Sequence, residues 1–258
     1  MEKPVITSLA NPLAKQVRAL RQRKERAESG LFVVEGLHHV GGAVEAGWDI
    51  DVILYAPDVL SSSFGSTLLS THPSALQPVS REVMESLAGK ENPQGILALV
   101  HERHQTLAQL HKGQRVVGLV MPQDPGNVGT VLRTIDAVAA DALMLVDGGV
   151  DPYHPTSVRA SMGALFWKPI VQTSFDELVA WSDAAGVHRI GTSAHAAVDY
   201  RAFKPTEPWL LLLGSEQKGL SADHLAACEL AVSLPMRGRA SSLNLAVAAG
   251  ILLYQFSA

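Results

Sequence analysis

The sequence predicts an α/β protein: a second half built on a parallel sheet, preceded by a smaller α/β domain. Two observations carry this. From Arg115 onward, continuous apolar runs such as RVVGLVM, ALMLVD, WLLLLGS and LAVSLP alternate with helical segments. Strands that are apolar throughout belong in a sheet covered on both faces, and such sheets are parallel. Before Arg115 the alternation is shorter, and the polar stretch HERHQTLAQLHKGQ separates the two halves. The expected organisation is a first domain over 1–104, a linker over 105–114 and a second domain over 115–258.

The elements follow in order. Asn11-Pro12 suits a helix cap and first turn, with the helix running to about Glu28 and stopping at Gly30. LFVVEG is a strand, LHHVGGAVEAG a helix, IDVILYA a strand, VLSSSFGSTLLS a weakly patterned helix and LQPVS a short strand. Ser80 caps REVMESLAG, and GILALV closes the first half as a strand. In the second half RVVGLVM leads through a loop into the helix NVGTVLRTIDAVAA. Then come ALMLVD (strand), TSVRASMGALF (helix), KPIVQT (strand), FDELVAWSDAAG (helix), HRIGTSA and WLLLLGS (strands), SADHLAACE (helix), LAVSLP (strand) and a last helix from about Ser242.

Composition narrows the class. With 47% apolar and 18% charged residues the chain reads as a folded, soluble protein. The single cysteine, Cys228, excludes an internal disulfide and a multi-cysteine metal site, and fits a reducing cytoplasm. The histidines lack metal-ligand spacing, so no metal is expected. The N-terminus MEKPVITSLA has no hydrophobic signal core. The uncharged stretch from Ala240 to Ala258 carries Ser241, Ser242, Asn244, Gln255 and Ser257, and reads as a helix in a core or subunit interface rather than a membrane span. Net charge is −4, yet residues 1–30 hold seven Lys/Arg against three Glu, concentrated in Lys15–Arg26. That run is either a solvated face or a grip on RNA phosphates, through Arg18, Arg21, Arg23 and Lys24.

Three loops stand out. G-x-G-x-x-G, G-x-x-x-x-G-K-[ST] and G-x-S-x-G are all absent, which removes dinucleotide, P-loop and hydrolase-elbow readings. What remains is DPGNVGTVLR, LLLLGSEQKGLS and LPMRGRASSLNLAVAAG, each following an apolar strand and leading toward a helix. In a parallel sheet ligands bind where strands end, which is where all three sit. Singly each is an ordinary turn; in this order and number they are specific.

These blocks resemble the three motifs of the SpoU/TrmH family of SPOUT RNA ribose 2′-O-methyltransferases. FVVEGLHHV and NPQGILALV more weakly resemble the family's N-terminal substrate-binding domain, a small α/β sandwich related to ribosomal RNA-binding proteins. The resemblance implies a catalytic domain with a deep trefoil knot, an exception to the rule that chains do not thread loops. It implies a homodimer, S-adenosylmethionine as methyl donor, and RNA as partner, with ribosomal RNA favoured over transfer RNA by the appended first domain. It assigns catalysis to Asn127, Arg133, Glu216, Ser242 and Asn244. It assigns the cofactor to Gly214, Ser215, Gly219, Leu234, Met236, Gly238 and Leu243, mostly through backbone groups. DPYHPTSVRASMGALF also fits, through Arg159, Ser161 and Gly163, and adds Arg159 as an RNA contact; Thr156 stands where the family often has Lys.

The residue chemistry agrees with transfer to a hydroxyl. Loops of Gly, Pro and Leu offer backbone N–H and C=O groups between apolar walls, which suits adenine and ribose. A ribose hydroxyl is a poor nucleophile and needs orientation and help in losing its proton. Arg133 is the activator the resemblance implies. A guanidinium stays protonated far above neutral pH, so it serves either as a phosphate and alkoxide clamp or, if strongly desolvated, as a base. Asn127 and Asn244 each donate and accept, and Asn127 also suits a helix N-cap, as do Ser242 and Asn244. Glu216 suits bracing its loop by accepting from backbone N–H groups. Arg237 and Arg239 read equally as surface charges or RNA contacts. Competing functions are a transfer-RNA 2′-O-methyltransferase, a SPOUT base methyltransferase and a non-catalytic RNA-binding protein.

Overall fold

The computed structural model describes residues 3–71, 75–89, 93–110 and 114–257. Part of the expected linker, residues 111–113, lies outside them. The chain divides into two compact units. One is residues 1–103 together with Tyr153–Phe166; the other is His104–Pro152 together with Trp167–Ala258.

The first unit is a four-stranded sheet with helices. Its strands are β1 (Leu31–Glu35), β2 (Ile50–Tyr55), β3 (Leu76–Pro78) and β4 (Ile96–His101) in the order β1-β4-β2-β3. β4 is antiparallel to both neighbours and β3 is parallel to β2. Helices α1 (Pro12–Ala19), α2 (Arg23–Ser29), α3 (Leu37–Glu45), α4 (Ser63–Thr71) and α5 (Arg81–Leu87) complete the first hundred residues. Ala14, Val17 and Leu20 pack with Val52, Leu54, Val83, Met84, Leu97 and Leu99.

The single basic helix expected over residues 11–28 is two. Asn11 caps α1, its Oδ1 accepting from Leu13 N–H at 2.9 Å, but the helix stops at Ala19. Leu20 turns into the core, and the guanidinium of the fully buried Arg26 donates from Nη1 to its carbonyl at 2.7 Å. The carbonyl released at the break thus has a charged partner, which offsets the lost helical bond.

Residues 153–166, which the sequence reading counted into the second half, belong with the first unit. The reason is aromatic. Phe32 of β1 packs on Tyr153 with ring centroids 4.7 Å apart, and Trp48 packs edge-on against Phe166 at 5.5 Å. Trp48 Nε1–H donates to the Phe166 carbonyl at 3.0 Å, and Tyr153 Oη donates to the Arg103 carbonyl at 2.5 Å. The helix expected there is short: α7 (Pro155–Ala160) ends in a turn with Met162 at φ 49° and Gly163 at φ 93°.

The second unit is a seven-stranded sheet in the order β7-β6-β5-β10-β8-β11-β9. Its strands are β5 (Arg115–Val120), β6 (Ala142–Val146), β7 (Ile170–Thr173), β8 (His188–Thr192), β9 (Val198–Asp199), β10 (Trp209–Leu213) and β11 (Leu230–Ser233). Every pairing is parallel. The two-residue β9 lacks the length to register in the apolar pattern and was not expected. β10 is buried at all five positions, each large side chain contributing roughly 2 kcal/mol of burial. Helices α6 (Pro125–Ala137), α8 (Phe175–Ala185), α9 (Ala222–Ala226) and α10 (Leu245–Phe256) complete the unit, with α10 packed on α6. Among the described residues no helix is long and apolar enough to cross a membrane.

Candidate active site

Because the sheet is parallel, β5, β10 and β11 end at the same edge. The loops 121–124, 214–219 and 234–244 leave from there. Hydrogen bonds join all three.

Asn127 is the middle of that junction. Asp124, rather than Asn127, caps α6: its Oδ1 accepts from Gly126 N–H at 2.7 Å, with Pro125 at the first helical position. The Asp-Pro pair was the stronger start signal in the sequence. Asn127 therefore lies in the first turn of the helix and is only 6% exposed. Its Nδ2 donates to Glu216 Oε1 at 2.8 Å, and its Oδ1 accepts from Asn244 Nδ2 at 2.9 Å. Asn244 Oδ1 in turn caps α10, accepting from Ala246 N–H at 2.9 Å and Val247 N–H at 3.3 Å. A carboxylate only accepts, so Asn127 must present its amide nitrogen to Glu216 and its oxygen to Asn244. Asn244 must then present nitrogen to Asn127 and oxygen to the helix. Each amide has one self-consistent orientation.

Glu216 reaches back to the first loop. Its Oε2 accepts from Gln123 N–H at 3.0 Å and its Oε1 from Asp124 N–H at 3.3 Å. It braces the loop at the head of α6 as well as its own. Partial burial alone pushes this carboxyl up; hydrogen bonds from Asn127, from the Gln123 and Asp124 amides and from its own backbone together outweigh that and leave it below its usual range. The first loop is held from the other side as well. Val150 N–H donates to the Pro122 carbonyl at 3.0 Å, and a Cβ on Gly149 (φ 97°) would stand 2.6 Å from that oxygen.

The 214–219 turn admits only glycine at its start. A Cβ on Gly214 would lie 1.9 Å from the carbonyl carbon of Gly219. Gly219 N–H donates to the Ser215 carbonyl at 2.9 Å, and Gly219 has φ 66°. Two backbone segments thus pass in direct contact after the buried Leu213. The turn closes on its own main chain directly after the buried β10. Leu234 and Met236 are half-buried and Leu243 is exposed in the third loop. Gly238 has open space where a Cβ would stand, so its surroundings do not demand glycine.

Two expected residues stay outside the junction. Arg133 is exposed on α6, six residues or roughly 9 Å beyond Asn127 and on another side of the helix. Among the described residues it makes no hydrogen bond or ion pair. Ser242 is exposed and likewise unpaired. Of the expected RNA contacts, Arg18 donates to the Leu9 carbonyl at 2.5 Å, and Arg21 donates to the Leu87 and Ala88 carbonyls at 3.1 and 3.0 Å. Lys24 pairs with Glu28 at 3.7 Å, and Arg23 is exposed. Arg159 lies in the first unit, with Nη1 2.7 Å from where a Cβ on Gly89 would stand. Among the described residues no group of three His, Cys, Asp or Glu is placed to hold a metal ion. The sequence reading missed Asp124 and Gly149.

Residues 114–254 match the SpoU rRNA Methylase family, and residues 11–98 match the MRM3-like substrate binding domain. The chain belongs to the SpoU rRNA methylase family. It is 35% identical over 245 residues to a 23S rRNA (uridine(2479)-2′-O)-methyltransferase of Streptomyces viridochromogenes, covering 92% of this chain and 85% of the relative. It is 32% identical over 249 residues to the 23S rRNA (guanosine(2553)-2′-O)-methyltransferase RlmP of Bacillus subtilis, covering 96% and 97%. Among solved structures, an S-adenosylmethionine-bound rRNA methyltransferase from Sinorhizobium meliloti superposes with TM-score 0.89 at 35% identity, covering 98% of this chain and 96% of that one. The SpoU methyltransferase AviRb from Streptomyces viridochromogenes, also bound to that cofactor, gives TM-score 0.86 at 33% identity over 96% and 97%. Within the matched span, the Glu216–Asn127–Asn244 chain joins segments that follow β10, β5 and β11.

Proposed function

We propose that this SpoU-family enzyme methylates a ribose 2′-hydroxyl of 23S ribosomal RNA, using S-adenosylmethionine. The observation that carries the reading is the hydrogen-bonded chain from Glu216 through Asn127 to Asn244, which fixes three motif loops at one edge of the sheet. Two relatives aligned over most of this chain are named for 2′-O-methylation of 23S rRNA, and two neighbours were crystallised with the cofactor.

In this reading Gly214, Ser215, Gly219, Leu234, Met236, Gly238 and Leu243 hold the cofactor, mainly through backbone groups. When bound, it supplies an electrophilic methyl group. The protein's task is then positioning: exclude water, align the hydroxyl and stabilise charge on it as its proton leaves. Asn127 and Asn244 fix the loops and Glu216 stiffens their junction. Ser242 contacts the acceptor ribose. Arg133 clamps the adjacent phosphate and the developing alkoxide, a role its uncompensated charge suits better than that of a base. The threaded chain path of the SPOUT fold belongs to the same reading.

We also place the enzyme in the cytoplasm as a homodimer. Val247, Ile251 and Tyr254 form an exposed apolar stripe on α10, at 51%, 36% and 62% exposure, and α10 packs on the helix that carries Arg133. A second copy covering that stripe lies beside the site. The first unit, with Arg18, Arg21, Arg23, Lys24 and Arg159, contributes substrate contacts.

Mapping ribose methylation across ribosomal and transfer RNA, with and without the protein, tests the reading. One new 2′-O-methyl group in 23S rRNA is expected; a mark confined to transfer RNA or to a base overturns it. Arg133→Ala and Arg133→Lys are each expected to lower kcat at least about a hundredfold while leaving S-adenosylmethionine affinity intact by calorimetry. Wild-type turnover in both would remove Arg133 from the mechanism.

A further inference from the structure

The sheet edge that carries the site also carries an arginine cluster with no assigned role. β9 runs parallel to β11, with Val198 opposite Val232 and Asp199 opposite Ser233, and Ser233 Oγ donates to the Val198 carbonyl at 3.2 Å. Both strands therefore end at the edge where β10 ends. From β9 the chain turns through Asp199 into Tyr200–Ala202. From β11 it enters the loop that carries Arg237 and Arg239 and then continues into Leu243 and Asn244.

The cations in these two segments are in different states. Arg201 is built in: Nε donates to Asp199 Oδ1 at 3.0 Å and Nη2 to Oδ2 at 2.5 Å, while the guanidinium carbon lies 5.9 Å from the Tyr200 ring centroid. Its hydrogen bonds, and then its charge together with that of the nearby Arg237, hold the Asp199 carboxyl at about 2. Arg237 and Arg239 are exposed, and among the described residues neither makes a hydrogen bond or ion pair. Arg201 and Arg237 thus face one carboxylate, and Arg239 stands two residues further along the loop that carries Arg237, in a chain of net charge −4. An ion pair on an edge strand has a sufficient explanation in keeping that edge from pairing. Two unpaired arginines on a neighbouring loop are outside that explanation.

We propose that Arg201, Arg237 and Arg239 form a phosphate-binding track on the catalytic unit that receives the RNA strand flanking the target nucleotide. This deepens the RNA-methylating reading and rests on it. β9 is three strands from β10 in the sheet order, about 14 Å at about 4.8 Å per strand. Cations set on two segments along that edge can meet more than one phosphate, whereas a cofactor carboxylate needs one cation. Its contacts are electrostatic and carry no base sequence, so it sets register and affinity while recognition of the nucleotide lies elsewhere.

The test measures binding of deproteinised 23S rRNA to the full-length protein across a series of KCl concentrations, without cofactor and so without turnover. Arg237→Ala combined with Arg239→Ala is expected to weaken binding about tenfold at low salt. The slope of log affinity against log salt should become shallower by about 1.5, two contacts at about 0.7–0.9 each. Arg201→Ala should act in the same direction. Arg237→Lys with Arg239→Lys should keep the slope, and Arg81→Ala, which removes a first-unit arginine paired with Glu85, should match the wild type. Unchanged affinity and slope, weaker binding with an unchanged slope, or an equal loss in Arg81→Ala would each overturn the proposal. So would lost S-adenosylmethionine affinity with RNA binding intact, which would give these arginines to the cofactor. Absence of any ribose mark from the wild-type protein would instead refute the methylating reading, and it is read in a separate assay.

Discussion

Asn127 and Glu216 show what a residue-level reading captures and what it leaves. The sequence pointed to both, because an Asn behind a Pro-Gly turn and a Glu between two glycines are odd enough to notice. It did not reveal that they touch, since 89 residues separate them and only the parallel sheet brings β5 and β10 side by side. The contact makes Glu216 testable. In Glu216→Gln the new amide nitrogen must face donors on the Gln123, Asp124 or Asn127 side, and one of them loses its acceptor. We expect a stability loss of about 1–3 kcal/mol, weaker S-adenosylmethionine binding by calorimetry and a large drop in turnover. The pH dependence follows from the same bonds. Glu216 has a lowered folded-state pKa, so its contribution is complete above its unfolded value of about 4.5 and is lost as pH falls through the lower folded value. Acid melts of wild type should therefore fall more steeply below about pH 4.5 than those of Glu216→Gln; parallel curves would show that the carboxylate is not what holds the loops.

At the level of elements, the alternation of apolar strands and helices placed ten of the eleven strands among the described residues, because burial on both faces writes itself into composition. Helix ends were harder. The basic segment looked like one helix since nothing in Leu20-Arg21-Gln22 breaks a helix by propensity. The break comes from tertiary packing: Leu20 enters the core and Arg26 follows to satisfy its carbonyl. Replacing Arg26 with Leu should cost about 2 kcal/mol, the loss of a charge-assisted hydrogen bond to a buried carbonyl, and thermal melts will read it. An unshifted melting temperature would mean that the break is set by Leu20 alone. On α10 the sequence showed an uncharged helix but not its two sides. Leu245, Ala249, Leu252 and Phe256 face the core while Val247, Ile251 and Tyr254 face out. Ile251→Asp with Tyr254→Asp should convert the proposed dimer to a monomer by light scattering with little change in folded-state circular dichroism. A wild-type chain that is already monomeric would remove the dimer reading.

At the level of the whole molecule, the chain crosses between its two units three times, after Arg103, after Pro152 and after Phe166. A linear reading places one boundary where polarity changes, and residues 101–114 supply it. Nothing in the run YHPTSVRASMGALF announces that it completes the other unit, because its partners Phe32 and Trp48 lie more than a hundred residues upstream. The consequence is that the first unit is not a separable module. A fragment ending at Arg103 keeps every strand of the four-stranded sheet but uncovers Phe32, which is fully buried, and Trp48, which is 8% exposed. It also orphans the Trp48 indole N–H. Uncovering two aromatic side chains removes roughly 3–6 kcal/mol, comparable with the whole stability of a domain this small. Residues 1–103 alone should therefore lack a cooperative thermal transition. The same fragment joined through a flexible Gly-Ser linker to residues 153–166 should regain one, and Trp48→Ala in that fusion should abolish it again. Cooperative melting of the bare fragment would show that the aromatic cluster only decorates the first unit.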